Sequence, residues 1–199
     1  SGGAELDLAK VYYGLSLQML TYLDVAVSNA ERWLGAKAKP GGILYFRVHE
    51  PLIRAGSILT PEEAEAEMLK RYRTKGLVLA DEETIRLLDA TIAGGGRSVH
   101  YPVAIRSDGS FYKNASVMSE SQWEALRRHG RGRMREIGKG ILRGKVDIAP
   151  YKLGQETPCR YCAFRPVCQF DAETEGSGYR RLIPYSPDEL WPRFGEGKA

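Results

Sequence analysis

Between residues 6 and 34 apolar side chains recur at helical spacing. Leu8, Val11, Tyr12, Leu15, Met19, Tyr22, Leu23 and Ala26 hold one face, and the pattern predicts a single long helix from about Leu6 to Leu34. Its opposite side also carries Leu17, Leu20, Val25 and Val27, so the helix is apolar nearly all round and is expected at the centre of the fold. Gly35 is a natural stop, Lys39-Pro40-Gly41-Gly42 a turn, and Ile43-Leu44-Tyr45-Phe46-Arg47-Val48 a strand by its β-branched and aromatic content.

Downstream, local capping chemistry marks the helices. Thr60-Pro61-Glu62-Glu63 combines an N-cap, a proline at the first helical position and a capping-box glutamate, predicting a helix to about Arg73. Asp81 caps another, with Ile85, Leu88 and Ile92 on one face as far as Gly94-Gly95-Gly96. Residues 97–118 read as irregular, with a hairpin at Ser107-Asp108-Gly109. Ser119 or Ser121 opens a last helix toward Arg143, and short extended segments follow. One confident strand makes no sheet. The chain is therefore either mostly helical or the second part of a domain whose strands precede residue 1, and the Ser1-Gly2-Gly3 opening before a central helix favours the second view.

Composition adds little beyond this. The 199 residues are 43% hydrophobic and 27% charged with a net charge of +4, enough for a real core, so the placement of charge is more informative than its sum. Arg127, Arg131, Arg135, Lys139 and Arg143 fall at four-residue intervals along the last predicted helix. This ridge either tracks a phosphate backbone or is the solvated face of an amphipathic helix. Trp123, Leu126, Met134, Ile137 and Ile141 occupy the neighbouring face. Gly130, Gly132, Gly138 and Gly140 each cost about 1 kcal/mol relative to alanine, so this helix is expected to need a partner or to break.

All three cysteines, Cys159, Cys162 and Cys168, lie in one C-x2-C-x5-C stretch. Three thiols cannot all pair, and a Cys159–Cys162 disulfide would close a tiny loop with little entropic gain. No apolar run approaches the ~18 residues of a membrane span and no signal segment opens the chain. The chain thus reads as cytoplasmic, where clustered cysteines point to metal, with the interleaved aromatics expected to shield the sulfur. Three ligands leave a tetrahedral position empty. His49, His100 and His129 are possible fourth ligands, but none sits at knuckle spacing from Cys159. No Walker loop, nucleophile elbow or H-E-x-x-H helix is present. Gln18 and Tyr22, four apart, share a helix face about 6 Å apart along the axis; if buried, the Gln18 amide needs a polar site or a satisfied network.

Two stretches carry a resemblance. Gly14-Leu15-Ser16-Leu17-Gln18-Met19-Leu20-Thr21-Tyr22-Leu23 followed by Pro158-Cys159-Arg160-Tyr161-Cys162, Cys168 and Phe170-Asp171, with Gly42-Ile43-Leu44-Tyr45-Phe46 and Pro150-Tyr151-Lys152 between them, resembles the RecB-family nuclease domain, most closely of the AddB type found in bacterial helicase–nucleases. The resemblance implies an α/β, restriction-endonuclease-like fold of which this chain is the C-terminal part, mostly helical, with a nuclease-core portion over residues 1–149 and a cysteine-ligated metal segment over 150–199. It implies Mg²⁺ held by an Asp and an Asp/Glu-x-Lys on strands ahead of residue 1, for which Asp7 and Lys10, at the start of a helix, are no substitutes. It implies that Gln18 and Tyr22 support the catalytic site and that Cys159, Cys162 and Cys168 bind a [4Fe–4S] cluster as a structural staple, its fourth cysteine outside this chain; the ridge of Arg127, Arg131, Arg135 and Lys139, read from its spacing, would then guide the DNA. The implied substrate is DNA, single-stranded by preference, and the implied partner an AddA-type helicase–nuclease subunit. On this reading the chain alone is inactive and the intact protein is an exonuclease in double-strand break repair and recombination. The alternatives are a non-enzymatic zinc or iron–sulfur nucleic-acid-binding module and an interaction domain with free thiols.

Overall fold

The computed structural model describes residues 6–46, 48, 56, 58–92, 94–112 and 115–195. In chain order the elements are α1 (Leu8–Tyr12), α2 (Gln18–Leu34), β1 (Gly42–Tyr45), α3 (Pro61–Tyr72), β2 (Lys75–Leu79), α4 (Glu82–Leu88), a 3-10 turn (Ala90–Ile92), β3 (Gly96–Arg97), β4 (Ala104–Ile105), β5 (Val117–Met118), α5 (Glu120–Leu142), β6 (Tyr151–Leu153), a second 3-10 turn (Pro158–Tyr161), α6 (Arg165–Cys168), β7 (Arg180–Leu182) and α7 (Pro187–Gly195). Among the described residues no helix is long and apolar enough to cross a membrane.

The single helix expected over Leu6–Leu34 is two. Gly14 adopts φ +77°, a left-handed conformation open to glycine and costly for residues with a Cβ, and the chain turns there before Leu17 starts α2. Nor is α2 central: it buries Leu20, Asp24 and Ala30 but leaves Val25 and Trp33 exposed. Apolar periodicity ran through the break because the residues on both sides are apolar, although they serve different cores.

The described residues form two compact units, one drawn from 1–7 and 17–128, the other from 8–16 and 129–199. In the first, β1, β2 and β5 make a three-stranded sheet, so the expectation of one strand was too low. β1 and β2 are antiparallel, with Ile43 opposite Leu77 and Leu44 opposite Gly76; β2 and β5 are parallel, with Val78 opposite Val117. Gly76 permits this pairing, because a Cβ there would run into the Ile43 carbonyl. Val78, Ile85, Ile92, Val103 and Ile105 form the core beneath.

Caps fix the helices of this unit as expected. Thr60 and Glu63 exchange hydrogen bonds at 2.9 and 3.2 Å, the Asp81 carboxylate accepts from the Thr84 N–H at 2.9 Å, and Ser119 caps α5 by accepting from the Gln122 N–H at 3.2 Å. The helix begun at Asp81 stops at Leu88 instead of continuing to Ile92. The buried Asp89 carboxylate takes hydrogen bonds from Thr91 N–H, Thr91 Oγ1 and Ser98 Oγ and turns the chain into the 3-10 segment, which still delivers Ile92 to the core. These donors hold the Asp89 carboxyl below its ordinary pKa, the Ser98 bond most of all. The expected hairpin at 107–109 is present: Arg106 N–H donates to the Ser110 carbonyl at 2.7 Å and Ile105 pairs with Phe111.

In the second unit α1 packs with α7, burying Val11, Leu190 and Phe194. Tyr12 stacks on His129 at 5.2 Å, and Phe194 meets the His129 ring edge-on at 5.0 Å. The Tyr13 hydroxyl donates to the Ile183 carbonyl and accepts from its N–H, both at 3.1 Å, while Lys10 pairs with Glu156 at 2.8 Å. β6 and β7 run parallel, Tyr151 opposite Arg180. α5 continues unbroken through its four glycines. Its N-terminal turns are anchored by buried Trp123 and Leu126, whereas a Cβ at Gly132, Gly138 or Gly140 would meet nothing within 4 Å. Ile137 and Ile141, placed by their spacing on the same face as Trp123 and Leu126, are exposed.

Candidate functional site

Gln18 opens α2 directly after the Gly14 break, with Leu17 in the N-cap position. The first turn is fixed by the Leu17 carbonyl, which accepts from the Thr21 N–H and hydroxyl, both at 2.8 Å. One turn on, Gln18 Nε2 donates to the Tyr22 hydroxyl at 2.9 Å. Both residues are exposed, Tyr22 to 59%, so the Gln18 amide is not the buried group that would have needed an internal network. The bond fixes polarity: the Tyr22 oxygen is the acceptor, leaving its O–H to donate and Gln18 Oε1 to accept from an incoming group. A preset donor–acceptor pair of this kind suits a phosphodiester oxygen or a neighbouring ammonium.

Two residues beyond Tyr22 lies Asp24, which is buried. Its carboxylate receives the Nε–H of Arg127 in an ion pair, and Arg127 Nη2 donates to Ser28 Oγ at 2.7 Å. The Asp24 hydrogen bond is the main reason the Arg127 guanidinium is held above its ordinary pKa. The structure thus places Arg127 as a tie between α5 and α2, with its side chain only 22% exposed. Asp24 was the residue the sequence signalled and the periodicity reading passed over: a carboxylate inside Leu23-Asp24-Val25 must find a cation if that helix packs. Further along α5, Arg131, Arg135, Lys139 and Arg143 are exposed, while Arg133 donates to the Tyr12 carbonyl at 3.1 Å and to Glu136 at 2.7 Å.

The cysteine segment belongs to the second unit. Thr157 caps the 3-10 turn that carries Cys159, its Oγ1 accepting from the Cys159 N–H at 3.4 Å, and α6 ends on Cys168. All three thiols are free and line one open cavity of about 150 Å³ together with Arg160, Phe170 and Tyr179. Phe170 and Tyr179 meet edge-to-face at 5.0 Å. The shielding expected of the aromatics between the cysteines falls to these two; Tyr161 and Phe164 are instead 85% and 74% exposed. Three thiolates around one cavity are the donor set an iron–sulfur cluster uses. Among the described residues, however, no three His, Cys, Asp or Glu side chains stand close enough to share a single metal ion. His129 is committed to Tyr12, its Nε2 lying 2.8 Å from the Tyr12 carbonyl; His100 donates its backbone N–H to Ser98 Oγ at 3.2 Å; His49 and the Ser1-Gly2-Gly3 opening lie outside the described residues.

Comparison with known proteins follows the same residues. The family model of the PD-(D/E)XK nuclease superfamily matches residues 2–169. The chain is 47% identical over 189 residues to the B-type subunit of the ATP-dependent helicase/deoxyribonuclease of Bacillus licheniformis, covering 95% of the chain. It is 45% identical over 197 residues to the protein of the same name in Geobacillus thermodenitrificans, covering 98% of the chain, and 45% identical over 177 residues to that of Bacillus subtilis, covering 89%. The chain spans 16%, 17% and 15% of these relatives' own lengths. A family match that takes in Gln18, Tyr22 and all three cysteines places this chain in the PD-(D/E)XK nuclease superfamily.

Proposed function

We propose that this chain is the C-terminal, DNA-positioning part of an AddB-type exonuclease subunit, which hydrolyses DNA phosphodiester bonds in the cytoplasm beside an AddA-type helicase–nuclease partner during double-strand break repair and recombination. The observation that carries the reading is the hydrogen-bonded Gln18–Tyr22 pair, presented outward on the first turn of α2 in a chain of a nuclease superfamily. Bound Mg²⁺ supplies an activated water and neutralises charge at the phosphate; its carboxylate ligands and the lysine are assigned to residues other than those described. Gln18 Oε1 and the Tyr22 O–H orient the strand or the lysine, and Arg131, Arg135 and Lys139 draw the backbone along α5. Cys159, Cys162 and Cys168 supply three thiolates to a [4Fe–4S] cluster that staples the tail, and a cysteine elsewhere in the full-length protein supplies the fourth. Single-stranded DNA is the preferred substrate.

The test is Mg²⁺-dependent cleavage of single-stranded DNA by the full-length protein with its partner, compared with Gln18→Ala. Misplacing the strand is expected to cost about 100-fold in rate with an unchanged melting temperature. Unchanged cleavage would remove Gln18 from the mechanism. An unsubstituted complex with no Mg²⁺-dependent cleavage would leave the cysteine cavity as the main feature and favour the non-enzymatic zinc or iron–sulfur binding module.

A further inference from the structure

Tyr161, Phe164 and Val167 project from the cysteine segment at 85%, 74% and 85% exposure, although they sit between thiols that a protein would be expected to wrap in apolar side chains. Phe170 and Tyr179 are the aromatics that line the cavity beside the thiols. Tyr161 and Phe164 do not line it and turn their rings to solvent. The backbone of both is set by short helical turns: Tyr161 ends the 3-10 turn that Thr157 caps, and Phe164 is the N-cap residue of α6. The Arg160 guanidinium lies 5.4 Å over the Tyr161 ring, leaving the other face open, and Phe164 has no ring partner among the described residues.

Charge decides what such a surface takes. Residues 157–170 contain Arg160 and Arg165 and no Asp or Glu, the acids Asp171, Glu173 and Glu175 following on the C-terminal side. The neighbouring Glu156 is neutralised by Lys10, and Lys152 adds a further cation 5.7 Å from the Tyr179 ring. Open aromatic faces flanked by arginines are how proteins hold unpaired nucleotides: bases stack on the rings while the cations meet the phosphates. Paired bases in a duplex are already stacked and cannot use these faces. We infer that Tyr161 and Phe164, flanked by Arg160 and Arg165, form a stacking platform for the unpaired bases of single-stranded DNA, a binding site separate in sequence from Gln18 and Tyr22. The inference rests on the reading of the protein as a DNA nuclease and deepens it by naming where the strand is held.

The experiment uses the full-length protein with its partner and its cluster, and measures the anisotropy of a fluorescein-labelled oligodeoxythymidine with Ca²⁺ in place of Mg²⁺. Tyr161→Leu and Phe164→Leu keep the apolar bulk and remove the π face. Each is expected to weaken binding about tenfold, with iron content and partner association unchanged, and Tyr161→Trp to bind as the unsubstituted protein does. Unchanged affinity in both leucine variants overturns the platform. So does a pattern in which alanine at these positions releases iron or the partner while leucine restores both, since that marks a surface covered by polypeptide. Should the leucine variants themselves lose iron, photocrosslinking of an iododeoxyuridine oligonucleotide to the unsubstituted complex decides: adducts on Tyr161 or Phe164 support the site, and adducts confined to other residues overturn it. An unsubstituted complex that neither binds nor cuts DNA instead overturns the nuclease reading.

Discussion

Arg127 and Asp24, 103 positions apart, form an ion pair inside the first unit, with Ser28 as a third member. Removing the arginine strands a carboxylate where water barely reaches. Arg127→Ala is therefore expected to lower stability by about 3 kcal/mol, the low end for breaking a buried pair because the guanidinium keeps some solvent, as read from urea denaturation. A surface cation engaged only with DNA would instead leave the denaturation midpoint unchanged.

Tyr22→Phe separates role from scaffold. The bond it removes from Gln18 is solvent-exposed, so stability should change by no more than about 0.5 kcal/mol. Cleavage by the full-length complex should fall about as far as in Gln18→Ala, and combining the two should add little, because the residues act as one unit. Additive losses in the double variant would show that they act independently.

Along α5 the exposed cations should register as a salt effect. Arg135→Ala and Lys139→Ala are each expected to lower the slope of log affinity against log salt concentration by about 1 and to weaken all DNA sequences alike. Thermal melting should be unaffected. A slope identical to that of the unsubstituted protein would return this face to the role of a solvated helix surface.

His129 gives the second unit a pH signature. Burial between Tyr12 and Phe194 pushes its pKa down, and the Tyr12 carbonyl offsets this in part. The folded value therefore lies below the unfolded ~6.5. Between the two the unfolded chain binds the extra proton, so the contribution is complete above about pH 6.5 and is lost as pH falls toward the folded value. His129→Gln, which can still donate to the Tyr12 carbonyl, should flatten the dependence of the melting temperature between pH 7 and 5. A variant with the same slope as the parent would place the titration elsewhere.

Features legible in the sequence are those whose causes are local. Thr60 with Glu63, Asp81 with Thr84 and Ser119 with Gln122 each satisfy helix N–H groups within three residues, so the sequence states the cap directly. What escaped depends on distant partners. β3, β4 and β5 have two residues apiece, too few to show a period, and Lys75–Leu79 becomes a strand because Gly76 admits the Ile43 carbonyl. The break at Gly14 was hidden by apolar residues on both sides. Asp24 shows its meaning only beside Arg127, and nothing local distinguishes an inward Phe170 from an outward Phe164.

The Tyr13–Ile183 bonds join groups 170 positions apart, and Tyr12 meets Phe194 in the same unit. Residues 8–16 therefore leave the ribosome well before Ile183 and Phe194 and wait for those partners while the residues between are synthesised. A loop of that length adds modestly to the entropic cost of closure but delays completion of the unit, so α1 and α7 are joined only after the cysteine segment that lies between them in sequence has been made.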